Sequence, residues 1–434
     1  MIFNVQPTSS LKGKIELPSS KSYSIRAALI AACGGNSTIF NFSDCDDAKV
    51  SLRTAKILGA KVARAGKNKF QIIGANQGLR GRHVGRSLPP IINVQESGTV
   101  LRFLLPLLAL RGQKVKVFGE RTLIGRPNFF LNETLRKMGV QIRGQGKKES
   151  VPIEIQGGEL QGGAIVIDGT LSSQFISALF IACPQLQEGT RLRLRGKKIV
   201  SEDYITMTSQ VLRKAGIKIV RIAQRKYRIP GRQAFQGLKN FVVPSDYGLA
   251  AFLMAGALLT KSDVLLTGEL KDELIQADGR ILYFLKKVGA KFQKTSRAIR
   301  IKGPLVLKGG NFSLKDCPDL VPIMSVLALF AKSKTRLSGI RHARAKESDR
   351  VSDLRAELLK IGAKIEETES DLIIHPREFY RSNALLDPRH DHRLAMAFAV
   401  LGLKVAVRIK DIECCSKSYP GFLKDFKALG AKVK

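Results

Sequence analysis

Six stretches of this chain are apolar at nearly every position, and each is opened by a short polar cluster. They read SSKSYSIRAALIAA at Ser20, ESGTVLRFLLPLLAL at Ser97, LSSQFISALFIA at Ser172, PSDYGLAAFLMAGALL at Asp246, CPDLVPIMSVLALFA at Asp319 and RHDHRLAMAFAVLGL at Asp391. A helix that is hydrophobic all round is one that its neighbours cover on every side, so these predict buried helices. Ser or Asp stands at each opening where an N-cap belongs. About 40 residues further on, a second pattern follows an amphipathic run: LGAKV at Gly59, MGVQI at Gly139, AGIKI at Gly216, VGAKF at Gly289, IGAKI at Gly362 and LGAKV at Gly430. Each Gly reads as the C′ residue of a helix leading into a strand. Short alternating stretches such as KFQIIG and DLIIH predict further strands. The unit of helix, helix and strands recurs about every 70–80 residues, six times in all. The fold class expected is α/β, built from repeats.

Composition narrows the setting. A chain of 434 residues with 44% hydrophobic and 25% charged side chains is globular and long enough for two or three domains. The apolar run at 101–110 is interrupted by Arg102 and Pro106, and no run is long enough to span a bilayer. The first twenty residues lack a basic stretch followed by an apolar core, so a cytoplasmic protein without a secretory signal is expected. Cys33 and Cys183 lie in Ala-rich runs and read as small buried hydrophobes in a reducing compartment. The net charge of +37 is spread along the chain without a basic tail. Such a field attracts anionic substrates and allows at most non-specific contact with nucleic acid.

The polar openings carry residues that capping does not require. PSSKSYSIR places Lys21 at a helix start and Arg26 one turn later; NVQESGTVLR places Gly98 at a helix mouth with Arg102 one turn in. Gly125-Arg126-Pro127 follows the strand-like VKVFGE, and Ser172-Ser173-Gln174 offers two hydroxyls and an amide. RHARAKESDR, residues 341–350, gathers Arg341, His342, Arg344, Lys346 and Arg350 around Glu347 and Asp349. It is expected where a turn hands over to a helix at 349–359. Cations at helix starts suit an anionic ligand, and an acid among them can move a proton.

In this order the signatures SKSYSIR, ESGTVLRF, GRP, SSQF, PDLVP, KESDR, HDHRLAM and KSYPGF resemble the 5-enolpyruvylshikimate-3-phosphate synthase family of enolpyruvyl transferases, from about residue 10 to the C-terminus. The resemblance implies two similar domains of three repeats each, 21–240 in one and 1–20 with 241–434 in the other, with the active site in the cleft between them. It implies transfer of the enolpyruvyl group of phosphoenolpyruvate to the 5-hydroxyl of shikimate 3-phosphate by addition and elimination, on the route to chorismate and the aromatic amino acids. Carried over, Lys21, Gly98, Arg126, Gln174, Arg350, Arg393 and Lys417 would hold phosphoenolpyruvate. Lys21, Ser22, Arg26, Ser172, Ser173, Gln174, Ser201, Asp319 and Lys346 would hold shikimate 3-phosphate, with Tyr204 beside that pocket. Asp319, Glu347 and Lys21 would move protons, one carboxyl being raised by desolvation. No cofactor and no metal are implied, and a monomer that closes on its substrates is expected. The family's frequent PGSKS reads PSSKS here, and His342 stands where some members have Asn.

Other readings have weaker support. The sister enzyme acting on UDP-N-acetylglucosamine typically has a Cys in the loop before its Arg, and residues 111–126 contain none. A dedicated nucleic-acid-binding protein would interleave bases with aromatics, and the chain has no Trp. His390 and His392 could begin a metal site, but no third ligand stands near them in sequence. Asp391 is better read as a cap that orients Arg393.

Overall fold

A computed structural model describes residues 2–75, 79 and 87–434. By contact the chain divides into two compact units, Ser20–Val243 and Met1–Ser19 with Pro244–Lys434. The described residues of the first unit include α1 (Lys21–Ala32), α2 (Asp46–Ile57), α3 (Gly98–Ala109), α4 (Phe129–Lys137), α5 (Ser173–Ala182) and α6 (Glu202–Lys214). The second has α7 (Tyr247–Leu259), α8 (Arg280–Lys287), α9 (Val321–Leu329), α10 (Ser352–Leu359), α11 (His392–Gly402) and α12 (Phe422–Ala428).

The odd-numbered helices are the six apolar stretches. Every residue of α7 and α9 is buried. Their even-numbered partners are amphipathic: α6 buries Ile205, Met207, Val211 and Leu212 and ends in Arg213 and Lys214, charges that suit a helix C-terminus. The six glycines after these partners all have left-handed backbone, φ between +80° and +104°. After five of them the next N–H bonds a carbonyl five residues back, as in Ala60 to Ala55 and Ala363 to Leu358. That closes the helix in a Schellman turn and frees the chain to start a strand.

Among the described residues each repeat contributes to a four-stranded sheet, and the six sheets share one pattern: a parallel pair followed by two antiparallel strands. Thus Gly163–Asp168 runs parallel to Thr190–Arg195, which pairs antiparallel with Lys226–Ile229 and through it with Val220–Ala223. Three sheets borrow a strand from elsewhere in the chain. Phe241–Val242 lies beside Asn36–Phe40, Lys12–Glu16 beside Ser262–Thr267, and Ile2–Gln6 between Val407–Lys410 and Lys432–Val433. The N-terminal strands therefore belong to the second unit, and this α/β architecture of repeated helix and strand units is the fold.

Two local expectations need correcting. The helix after KESDR begins at Ser352, not at 349, because Asp349 turns its carboxylate onto the N–H groups of Val351 and Ser352 and acts as a cap from outside. Side-chain caps form at Ser172, Asp246 and Asp391, whereas Ser20 and Ser97 make none. Asp319 is not the cap of α9 either. It sits in a 3-10 turn, Pro318–Leu320, and its carboxylate serves arginines instead.

Candidate functional site

In each unit, contacts link candidate residues at the starts of the buried helices, as Gln174 with Thr99 and Arg393 with Asp319. In residues 20–243, α3 packs on both α1 and α5. Lys21, the first residue of α1, places Nζ 3.1 Å from Asp47 in the first turn of α2. Both side chains are largely buried, so Asp47 fixes the ammonium group in place. Gly98 opens α3 directly under Arg126, and a Cβ there would lie 2.8 Å from Arg126 Nη1. The glycine is what lets the guanidinium lie across the helix start. Glu96 accepts from Thr122 Oγ1 at 2.7 Å and anchors the loop that carries Arg126.

Gln174 is aimed from two sides. Its Oε1 accepts from Arg102 Nη1 at 2.5 Å and its Nε2 donates to Thr99 Oγ1 at 2.9 Å. Arg102 is buried and also donates to Asn128 Oδ1 and the Pro127 carbonyl, so one guanidinium ties α3, α5 and the Arg126 loop together. Ser172 caps α5, Ser173 lies in its first turn, and Ser201 holds left-handed backbone at φ +56° just before α6. A left-handed non-glycine residue persists only where its surroundings over-determine it.

Ser22 is half-buried in the first turn of α1, and Arg26 lies beneath it, 1% exposed. The Arg26 guanidinium donates to Thr208 Oγ1 and to the carbonyls of Ser22 and Tyr204, and it lies over the Phe103 and Tyr204 rings. Burial lowers its pKa to about 10. In this structure Arg26 therefore braces the floor under Ser22, α6 and Tyr204.

The second cluster is built around Arg350, which is 1% exposed. Its Nε lies 2.7 Å from Asp391 Oδ2, its Nη1 2.7 Å from Asp319 Oδ1 and its Nη2 2.7 Å from Glu347 Oε2. Asp319 turns its other oxygen to Arg393 Nη2 at 2.8 Å, and Arg393 also reaches the Gly248 carbonyl and approaches Asp278. Asp391 Oδ1 accepts from the Arg393 N–H at 2.8 Å, as a cap should, while its other oxygen holds Arg350. Lys346 is half-buried and Lys417 is buried at the end of the 3-10 segment Ile412–Lys417, which packs on α11.

A bare positive wall is not what these residues make. Asp278, Asp319, Glu347 and Asp391 stand among Arg350, Arg393, Lys346 and Lys417, because a guanidinium this deeply buried needs counter-charges. Burial alone would raise the Asp319 carboxyl, but Arg393, Arg350 and Lys346 together hold it well below its ordinary value of 3.8. It is a carboxylate throughout the neutral range. His342 is pushed the other way: burial, with Lys346 adding to it, lowers its pKa to about 3, so the imidazole is neutral. Its Nε2 makes no hydrogen bond within the protein. His390 does not pair with His392. Its Nδ1 contacts Asp411, while His392 is buried in the first turn of α11.

The structure thus places Lys21, Ser22, Arg26, Gly98, Arg126, Ser172, Ser173, Gln174 and Ser201 in one unit and Asp319, Lys346, Glu347, Arg350, Arg393 and Lys417 in the other. The sequence reading missed Asp47, Thr99, Glu96, Asn128 and Asp278. The acidic pair at Asp46 and Asp47, opening a helix shortly after Lys21, was a signal that could have found Asp47.

Comparison with known proteins gives a consistent picture. The family model for EPSP synthase (3-phosphoshikimate 1-carboxyvinyltransferase) matches residues 5–426. The 3-phosphoshikimate 1-carboxyvinyltransferase of Methanosarcina acetivorans is 33% identical over 98% of this chain and 97% of its own length. That of Methanosarcina mazei is 35% identical with the same coverage. Among solved structures, an EPSP synthase from Acinetobacter baumannii superposes with a TM-score of 0.79 at 25% identity, covering 100% of this chain and 99% of that one.

Proposed function

Because the chain belongs to the EPSP synthase family and is an enolpyruvyl transferase, we propose that it moves the enolpyruvyl group of phosphoenolpyruvate onto the 5-hydroxyl of shikimate 3-phosphate. The observation that carries the reading is the meeting of two motifs distant in sequence: Arg350 of KESDR binds Asp391 of HDHRLAM, and Asp319 bridges Arg350 to Arg393. This sets an ionised acid between two guanidinium groups at helix starts. Such a site suits a small substrate carrying both phosphate and carboxylate.

In the proposed reaction the methylene carbon of phosphoenolpyruvate gains a proton while the 5-hydroxyl loses one and its oxygen bonds the adjacent carbon. The tetrahedral intermediate then loses a proton from the methyl carbon and expels phosphate, leaving the enol ether. Asp319, kept as a carboxylate, fits the role of taking the hydroxyl proton. Glu347 is assigned to the methylene carbon, and Lys21 supports either transfer. Lys21, Gly98, Arg126, Gln174, Arg350, Arg393 and Lys417 are assigned to phosphoenolpyruvate. Ser22, Ser172, Ser173, Gln174, Ser201 and Lys346 hold shikimate 3-phosphate, above the brace formed by Arg26. Donors held in place before reaction stabilise the developing charge without having to reorganise.

The purified protein should release phosphate from phosphoenolpyruvate with shikimate 3-phosphate and not with UDP-N-acetylglucosamine. Release with the nucleotide sugar alone would move the protein to the sister activity, and release with neither would mean a different acceptor. A second test concerns Gly98. In Gly98→Ala the added Cβ must push Arg126 aside, so KM for phosphoenolpyruvate should rise about tenfold, roughly 1.4 kcal/mol, with KM for shikimate 3-phosphate little changed. An unchanged KM in steady-state kinetics would remove Arg126 from the phosphoenolpyruvate site.

A further inference from the structure

The common strand order of the six sheets lets their outward faces be compared. In three of them cations lie against acids: Lys116 and Arg143 on Glu154, Arg300 and Lys302 on Asp263, and Arg336 on Asp371. The sheet built on Thr190–Arg195 departs from this. That strand alternates buried Thr190, Leu192 and Leu194 with exposed Arg191, Arg193 and Arg195. Its antiparallel neighbour sets Arg228 directly opposite Arg191 and Lys226 directly opposite Arg193. Asp168 approaches Arg195 only to 3.9 Å, and among the described residues no acid pairs with the other four cations. At the hairpin end, Arg225 donates to the carbonyls of Gly196 and Lys197 and holds that basic loop beside the same face.

Like charges directly opposite across strands destabilise a sheet. Here two such pairs stand side by side without the acids that the equivalent sheets supply. Strands lie about 4.8 Å apart and alternate residues about 6.8 Å apart, so the cations form a flat grid wider than a single small anion. A polyanion can span it. Four of the five are arginines, whose planar fork suits phosphate oxygens. The face has no aromatic side chain: Tyr227, on the same strand as Lys226 and Arg228, turns inward against Phe180. Without aromatics there is no base stacking, and exposed Val166 beside Arg193 is a small apolar contribution to set against the cations. We propose that this sheet face binds nucleic acid through its phosphates, without sequence preference. The proposal rests on this geometry and is independent of the acceptor used in enolpyruvyl transfer.

The test is fluorescence anisotropy of the full chain with labelled oligo-dT and oligo-U, titrated with salt. The variant Arg191→Ala/Arg193→Ala/Lys226→Ala is compared with Lys308→Ala/Lys332→Ala/Lys334→Ala, which removes equal charge from exposed positions in the other unit. The sheet variant should bind about tenfold or more weakly near 0.1 M salt and lose about 2 from the slope of log K against log salt, at about 0.7 per phosphate contact. The control should stay within about twofold. The sheet variant should also melt about 1–3 °C higher, because it relieves like-charge pairs. Equal weakening in both variants would show that bulk charge binds, and would overturn the proposal. So would loss of binding to phosphatidylserine vesicles with oligonucleotide binding intact. A fall in kcat/KM at low salt with no oligonucleotide binding would assign the face to substrate steering instead.

Discussion

Replacing Arg350 with Met is expected to destabilise the unit formed by residues 1–19 and 244–434 by about 3–5 kcal/mol and to abolish enolpyruvyl transfer. The side chain is 1% exposed and touches Asp391, Asp319 and Glu347, each at 2.7 Å. A methionine of similar length fills the space but leaves three carboxylates facing one another in a desolvated site. The cost is therefore that of buried uncompensated charge and not of a cavity. The pH dependence has a definite sign. Asp319 is held below its ordinary value of 3.8, so its contribution is complete above that pH and is lost as pH falls through the lowered folded value. Without Arg350 the carboxyl loses one of its cations and its pKa rises, so protonation relieves the buried charge as pH falls and the variant's deficit should be smaller at pH 4 than at pH 7. Denaturant unfolding at pH 7 and pH 4 checks both statements. A midpoint unchanged at pH 7 would mean that the three acids find other partners.

Asp319→Asn should keep the fold and lower kcat about 10²–10⁴-fold, the usual contribution of a positioned acid or base. The amide keeps one of the two arginine contacts through its oxygen and turns its NH2 toward the other, and it cannot take a proton from the 5-hydroxyl. Because the wild-type carboxyl is ionised well into the acid range, Asp319 should contribute no limb to the pH–rate profile between about pH 5 and 8. Any limb found there belongs to another group and should survive in Asp319→Asn. A profile whose acid limb disappears with the substitution would reverse the assignment and make Asp319 the proton donor.

Much of this molecule is legible along the chain. Gly59, Gly139, Gly216, Gly289, Gly362 and Gly430 each end a helix because only glycine takes a left-handed turn without strain, and that requirement is local. The six apolar helices follow from composition within each stretch, and Asp391 caps α11 as its place in HDHRLAM suggests. The borrowed strands were not legible: Ile2–Gln6, Lys12–Glu16 and Phe241–Val242 lie outside the local repeat, and their partners are chosen by the open edges of distant sheets.

The charges divide in the same way. Their identities and their positions at helix starts are written in the chain, as are KESDR, DHRLAM and the resemblance they carry. Which charges meet is not. Arg350 lies 41 residues from Asp391 and 31 from Asp319, so nothing local in the chain says that these acids and this arginine meet. Asp47 on Lys21 and Arg228 opposite Arg191 are likewise products of packing and register. The sequence by itself determined the repeat, the elements and the kinds of side chain at their ends. Only the tertiary structure decided how those side chains are paired and how deeply they are buried, because electrostatic energy depends on separation and solvent exclusion, and both arise when the sheets close around their cores.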